Sequence, residues 1–320
     1  MEVKLGSIGE RAIIERIRRM YGYGWPDDDC FYFADGKRYI LLKTDSISAS
    51  SHMPDSADPE RIGYFLAAIN LSDIAAMGGT PRYFMTALTM PRSTKLSYLG
   101  AVERGISRCL SRYKTRMGGG DLKEGREMNF AGIAVGDVDR NRMIRRNGAR
   151  AGDLLCVTGR LGKNAAGYYM WKETGQKKWA NMLLDVEPRI REGLALHEIG
   201  ATSAIDLSDG VYSSISQLRR INKIGFEIEF SRLPLSREAL GAAKRLGIGI
   251  EELALNFGGE YELMFTLPEN RYERAREYMK KRSMGMTMIG RVTKTESILI
   301  KDGRRISIKS RGYEHFMRRR

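Results

Sequence analysis

A chain of 320 residues exceeds the usual reach of one hydrophobic core and predicts two domains of about 150 residues each. Its 42% hydrophobic and 29% charged content is that of a soluble globular protein, and no apolar stretch reaches the ~18 residues of a membrane span. The net charge of +15 is spread over surface-type helices such as 271–282, where Glu273 and Glu277 interleave with the basic residues. Apart from Arg318-Arg319-Arg320 there is no basic arm, zinc finger or basic aromatic strand, so the charge predicts a solvated surface that draws small anions, not a nucleic-acid partner.

Glu2, Glu10 and Glu15 stand among the basic residues of the N-terminus, which lacks the apolar run of a signal peptide and the acid-poor pattern of a transit peptide. A cytoplasmic protein is expected. Cys30, Cys109 and Cys156 are far apart and without Cys-x-x-Cys spacing, which predicts reduced core thiols and no zinc or disulfide framework. With only His52, His197 and His315 in the chain, a bound metal is expected to take oxygen ligands.

In chain order, residues 11–20 read as an amphipathic helix with Ile13, Ile14 and Ile17 turned inward. A glycine-rich turn then leads into Asp27-Asp28-Asp29-Cys30, three acids that repel one another unless they are solvated or share a cation. By itself the run reads as a solvated turn. Residues 38–47 read as a strand that opens at Lys43-Thr44-Asp45-Ser46, a common place for functional groups in α/β folds. Asp58 as cap, Pro59 at the first position and Glu60 near the positive end start a helix that stops at Gly78-Gly79. Within it Asn70, Asp73 and Met77 share one stripe, and no cation lies within a turn of Asp73. An isolated buried carboxylate costs several kcal/mol unless it is paired or bound to a cation, so Asp73 is either exposed, bonded to the backbone, or partnered from elsewhere.

A strand over 83–90 and a helix with Leu96, Leu99, Val102, Ile106 and Leu110 inward come next. Gly118-Gly119-Gly120-Asp121 predicts a turn that admits close backbone approach, followed by a strand over 128–135. The domain boundary is placed at 146/147, giving an N-terminal α/β domain (1–146) and a C-terminal α+β domain (147–320). Gly159-Arg160-Leu161-Gly162-Lys163 lacks Walker A spacing and has Asn164 where Ser or Thr would stand, which predicts a structural turn. A second acidic turn runs through Asp206-Leu207-Ser208-Asp209-Gly210, where Ser208 or Asp209 suits a helix cap and Asp206 is left without a role. Strands are expected over 225–230, 261–267 and 287–292, with a hairpin about Asp302-Gly303.

The acids therefore fall at strand ends, on a helix stripe and in glycine turns, and carboxylates without His or Cys are the ligand set of magnesium. Asp28-Asp29-Cys30, Thr44-Asp45 with His52, the run from Asn70 to Gly78, Gly119-Gly120-Asp121, the run from Ile205 to Gly210, and Gly312-Tyr313-Glu314-His315-Phe316 occur in that order. Together they resemble the thiamine-monophosphate kinases from about residue 5 to 316, within the superfamily of aminoimidazole-ribonucleotide synthetase and selenophosphate synthetase. The resemblance implies a two-domain α/β (α+β) fold without a Walker loop, a homodimer joined mainly through the N-terminal domains, and ATP held in a cleft through several Mg2+ ions. It implies metal ligation by Asp28 or Asp29, Thr44, Asp45, Asp73, Asp121, Asp206 and Asp209, and ATP contacts from Gly120, Asp121, Arg146 and Ser208. His52, Glu260 and Tyr313 would line the thiamine-phosphate side. The implied activity is direct transfer of a phosphoryl group from ATP to thiamine monophosphate, with no phosphoenzyme and no catalytic base.

Several positions depart from the family pattern. Its Gly-Gly-Glu-Asp-Tyr-Glu-Leu stands here as Phe257-Gly258-Gly259-Glu260-Tyr261-Glu262-Leu263, which puts Gly259 on the Glu position and Glu260 on the Asp position. Leu122-Lys123 replaces a pair of Thr, Asp27 replaces Gly, and Lys43 replaces a small residue. Lys43 either weakens one metal position or contacts a phosphate itself. These departures leave room for a different acceptor or for a non-catalytic nucleotide-binding protein.

Overall fold

The computed structural model describes residues 4–22, 24–308 and 316. Helix α1 (Glu10–Tyr21) is followed by β1 (Phe31–Asp35), β2 (Arg38–Ser48), α2 (Pro59–Ala76), β3 (Thr80–Met90), α3 (Leu96–Arg112), β4 (Arg116–Glu124) and β5 (Asn129–Asp139). The five strands pair in the order β1-β2-β5-β3-β4, antiparallel except for β3 with β4. Strand β5 shows why this sheet has two different faces. Phe130, Gly132, Ala134, Gly136 and Val138 are buried while the residues between them are half-buried, the alternation of a sheet covered by helices on one side.

The second half runs β6 (Leu154–Val157), α4 (Lys163–Thr174), α5 (Lys177–Leu183), α6 (Ile190–Ile199), β7 (Ser203–Asp206), α7 (Val211–Asn222) and β8 (Gly225–Glu229). It continues with α8 (Arg237–Leu246), β9 (Leu263–Leu267), α9 (Tyr272–Lys281), β10 (Thr287–Thr293), β11 (Ile298–Lys301) and β12 (Arg304–Ser307), the last two forming the expected hairpin at Asp302-Gly303. Its seven strands pair as β12-β11-β8-β10-β6-β9-β7. Strands β6, β7 and β9 are buried along their whole length.

Helix α2 joins the two halves. It packs on β2 and β5 of the first sheet, on α3, and on α6 and β7 of the second half, so every residue from Ile62 to Ala76 is buried. A helix apolar nearly all round belongs in such a position. Gly193 of α6 sets the closeness of the joint, because a Cβ there would come within 2.2 Å of the Ala75 carbonyl oxygen. Polar side chains on α2 are thereby carried to the seam between the sheets.

Some local expectations are corrected. Ile14 and Ile17 are 41% and 40% exposed and Leu96 83%, so helical periodicity there does not mark a face buried within this chain. Gly118 to Asp121 lie within the edge strand β4, not in a turn, because β3 offers them a parallel partner. The Asp58 side chain does not cap α2 but accepts from Asn181 at 2.5 Å and pairs with Lys177. The three cysteines are buried and free. Among the described residues no helix is long and apolar enough to cross a membrane.

Candidate active site

Three carboxylates from distant parts of the chain meet at the seam. Asp29 lies in the bend before β1, Asp73 in the last turns of α2 and Asp206 at the end of β7. Each has an oxygen within 4.8 Å of the others, and all three residues are buried. The solvated-turn reading of the first acidic run is therefore overturned. Asp28 and Asp29 sit against a basic pair from the connection between the sheets: Arg145 Nε donates to Asp28 at 2.9 Å, and Arg146 donates to Asp29 through Nη2 at 2.8 Å and Nε at 3.2 Å. The backbone amide of Arg146 donates to the other oxygen of Asp28 at 2.8 Å. Both oxygens of each aspartate are thus engaged, and of the pair it is Asp29 whose carboxylate stands within the cluster.

The partner that Asp73 requires is Lys43. Alternation along β2 puts Lys43 and Asp45 on one face, and α2 packs on that face. Lys43 Nζ lies 2.9 Å from Asp73 and 3.3 Å from Asp45. Asn70, one turn before Asp73, accepts from the Asp45 amide at 2.8 Å and so holds the helix stripe in register with the strand. Ser72 Oγ donates to Asp206 at 2.9 Å.

Crowding and burial dominate the electrostatics. Burial drives the Asp73 carboxyl well above its usual range, with Lys43 opposing and Asp206 and Asp45 adding to the rise. Asp206 is likewise raised, by burial and then by Asp29, against Lys43, Ser72 and Arg146. For Lys43 burial acts downward, but Asp73 and Asp45 more than reverse it and hold the ammonium charged. A site that raises its own carboxyls in this way gains from any added cation.

Two turns complete the site. The turn after β7 carries Ser208 and Asp209, and α7 begins after Gly210, which stands at its cap position. The loop before β9 lies on that turn through Gly259 N to Ser208 O at 2.7 Å and Tyr261 N to Leu207 O at 3.0 Å. Only glycine fits at 258, where a Cβ would come within 2.2 Å of the Ser208 carbonyl. A cavity of about 1820 Å³ opens over the cluster and is lined by Asp45, His52, Asp73, Arg146, Ser208 and Asp209 among others.

An oxygen-only donor set with this spacing fits a hard divalent ion, whose opposed ligands are about 4.2 Å apart. Models for the N- and C-terminal domains of AIR synthase related proteins match residues 26–138 and 150–302. The thiamine-monophosphate kinase of Methanospirillum hungatei is 31% identical over 306 residues, covering 96% of this chain and 99% of that protein. That of Pyrococcus abyssi is 31% identical over 312 residues, covering 97% and 96%. The chain belongs to the thiamine-monophosphate kinase family. A solved structure described as AaThiL complexed with AMPPCP and TMP superposes with a TM-score of 0.88 at 27% identity, over 98% of this chain and 99% of that one. A structure of the Aquifex aeolicus thiamine monophosphate kinase gives 0.81, also at 27% identity, over 95% and 99%.

In this member of the thiamine-monophosphate kinase family, Asp28, Asp29, Thr44, Asp45, His52, Asp73, Arg146, Ser208 and Asp209 line the cavity, and Asp206 lies behind it in the carboxylate cluster. Glu260 does not line it. Its carboxylate is buried and accepts from the Gly162 amide at 3.1 Å, at the N-terminal end of α4, where burial and then Glu262 push its pKa up to about 8. Tyr261, at φ 52°, takes the cavity side instead and forms an edge-on contact with Phe65. Gly120 and Asp121 are also absent from the cavity. The register Asp45, Gly132, Thr86, Gly120 runs straight across the sheet, so three strand spacings of about 4.8 Å separate Gly120 from Asp45. Asp121 is 59% exposed and pairs with Lys123 at 3.3 Å. Tyr313 lies outside the described residues. Sequence reasoning missed Tyr261 and Gln217, which accepts from Arg146 Nη1 at 2.9 Å; only the Gly258-Gly259 pair signalled the first, and nothing signalled the second.

Proposed function

We propose that this protein transfers the γ-phosphoryl group of ATP to the phosphate of thiamine monophosphate, giving thiamine diphosphate. The observation that carries this is the buried Asp29, Asp73 and Asp206 cluster opening on a large cavity in a chain of this family. The acceptor is a phosphate monoester with a second pKa of about 6, so its attacking oxygen is largely ionised at neutral pH. A P–O bond forms between that oxygen and the γ-phosphorus as the bond to the β,γ-bridging oxygen breaks. No proton has to move in that step.

What the reaction must overcome is repulsion between two polyanions. Several Mg2+ ions, held by Asp29, Asp73 and Asp206 with Asp45, Thr44 and Asp209 at the margin, would supply positive charge to the phosphoryl oxygens. Arg146, Ser208 and His52 line the same cavity; in this reading Arg146 and Ser208 contact ATP and His52 contacts the acceptor. The half 1–146 then supplies most of the carboxylates, and 147–320 closes over them with Asp206 and the turn at 208–210.

The functional unit in this reading is a homodimer. Phe31 and Phe33 of β1 and Tyr83 and Met85 of β3 are 40–50% exposed, and share a face with half-buried Ile133 and Val135. An apolar sheet face of this kind suits burial against a second copy. Asp121 pairs in register with Ala87, two residues from Met85, and so belongs to that same face; in this reading it would serve a partner's site. Three buried free thiols suit the reducing cytoplasm.

The test is incubation with ATP, Mg2+ and thiamine monophosphate, with thiamine diphosphate followed by chromatography and free thiamine as control. Product from the monophosphate alone supports the proposal. The withdrawal of Glu260 from the cavity favours one alternative, a different phosphate acceptor, and ATP consumption only with another acceptor would establish it.

A further inference from the structure

The carboxylate cluster already contains a cation on a short tether. Lys43 Nζ is 2.9 Å from Asp73 and 3.3 Å from Asp45, and its side chain is 22% exposed against 5% for Asp73. A divalent ion bridging the same two carboxylates would need bonds of about 2.1 Å to each, in the space the ammonium fills. The backbone of Lys43 is fixed opposite Ala134 in the middle of the β2–β5 ladder, and its neighbour across the seam is α2, the most buried helix of the fold. The lysine is therefore held at the cluster by the same packing that assembles it. Its charge is also needed there: Asp29 is answered by Arg146, whereas Asp73 has Lys43 as its ion-pair partner among the described residues.

We propose that Lys43 is a resident cation of this site, standing where a divalent ion would otherwise bridge Asp45 and Asp73. The chain then takes up one fewer divalent ion per bound nucleotide than it does once the lysine is removed, and its cluster stays assembled without metal. The inference rests on the kinase reading only in that the same carboxylates are taken to serve a metal-bound nucleotide.

The experiment counts bound Mn2+, by the loss of free-ion paramagnetic resonance signal, in the presence of AMPPCP. Wild type, Lys43→Ala and Lys43→Arg are compared. Lys43→Ala is expected to bind one more Mn2+ per chain than wild type, and Lys43→Arg, which keeps the charge, the wild-type number. In the absence of metal Lys43→Ala should melt below wild type and recover more on addition of Mn2+. If it does not fold without metal, protein refolded in Mn2+ is counted instead. Equal counts in wild type and Lys43→Ala, with nucleotide bound, overturn the inference and leave the kinase reading standing. Failure of the wild type to bind either Mn2+ or AMPPCP overturns both.

Discussion

Arg146 grips Asp29 at both ends, with Nη2 2.8 Å from one carboxylate oxygen and Nε 3.2 Å from the other, in a pair whose side chains are 17% and 1% exposed. The arginine comes from the connection between the sheets and the aspartate from the bend before β1, so the pair pins that connection to the first half at the cavity wall, while Gln217 of α7, accepting from Arg146 Nη1, ties it to the second. It also sets a competition, because the carboxylate that Arg146 neutralises is one that a divalent ion would use.

That competition predicts the behaviour of Arg146→Met. Removing one partner of a buried pair costs about 3–5 kcal/mol, because the other charge is left uncompensated. The metal-free variant should unfold at correspondingly lower urea concentration, and Mg2+ should restore more stability to it than it adds to wild type. Equal Mg2+ effects on both proteins would mean that arginine and metal do not share Asp29.

Asp73→Asn tests the centre of the cluster. Asparagine keeps the shape of the side chain, relieves repulsion from Asp206 and leaves Lys43 with Asp45 at 3.3 Å, so the fold should survive. Turnover of ATP should fall by at least ~100-fold, the scale of losing one preorganised electrostatic group in a closed site. A near-native circular dichroism spectrum with unimpaired turnover would remove Asp73 from the chemistry.

Much of this was legible from the sequence for a physical reason: an acid amid apolar residues announces its own need for a cation. Asp73 and Asp206 each raised that question, and the structure answers both in one cluster. The strands expected over 38–47 and 225–230, observed as Arg38–Ser48 and Gly225–Glu229, and the long buried helix were equally plain, since period and punctuation agreed. Lys43 could be seen as a departure but not placed, because a long side chain on a strand has several reachable partners and only the packing of α2 selects Asp73. Glu260 could not be placed because the backbone of its loop, with Tyr261 at φ 52°, decides which of the two side chains faces the cavity, and residue types alone do not give that. Asp121 misled because three glycines in succession signal a turn unless a neighbouring strand offers them a ladder.

Glu260 carries a prediction about pH in place of one about substrate. Its folded pKa of about 8 stands above the ordinary carboxyl value of 4.5, with burial as the main cause. Between those values the folded state binds the proton more tightly than the unfolded chain, so this group's contribution is full below about pH 4.5 and is lost as pH rises through about 8. Glu260→Gln mimics the protonated acid. The variant should come close to wild type near pH 5 and exceed it by roughly 4 kcal/mol near pH 8.5, with Michaelis constants for ATP and thiamine monophosphate little changed. Parallel stability curves from about pH 5 to 8.5 would show that the buried carboxyl does not titrate in that range.

Mixed dimers distinguish a site built within one chain from a site shared between two. Asp121 lies on the uncovered face of the first sheet, on an edge strand across the sheet from Asp45. If that face packs on a second copy, Asp121 of each chain serves the cluster of the other. Asp73→Asn and Asp121→Asn homodimers should then both be inactive, while a mixed dimer has one complete site, formed by the Asp73 of one chain and the Asp121 of its partner. Equal mixing with subunit exchange makes half the dimers mixed, and about a quarter of wild-type turnover should return. Introducing Met85→Lys into both chains, which places a charge in the middle of the apolar face, should yield monomers by size-exclusion chromatography and prevent the recovery. If Asp121 acts within its own chain, every site in the mixture carries a defect and no activity returns at any mixing ratio.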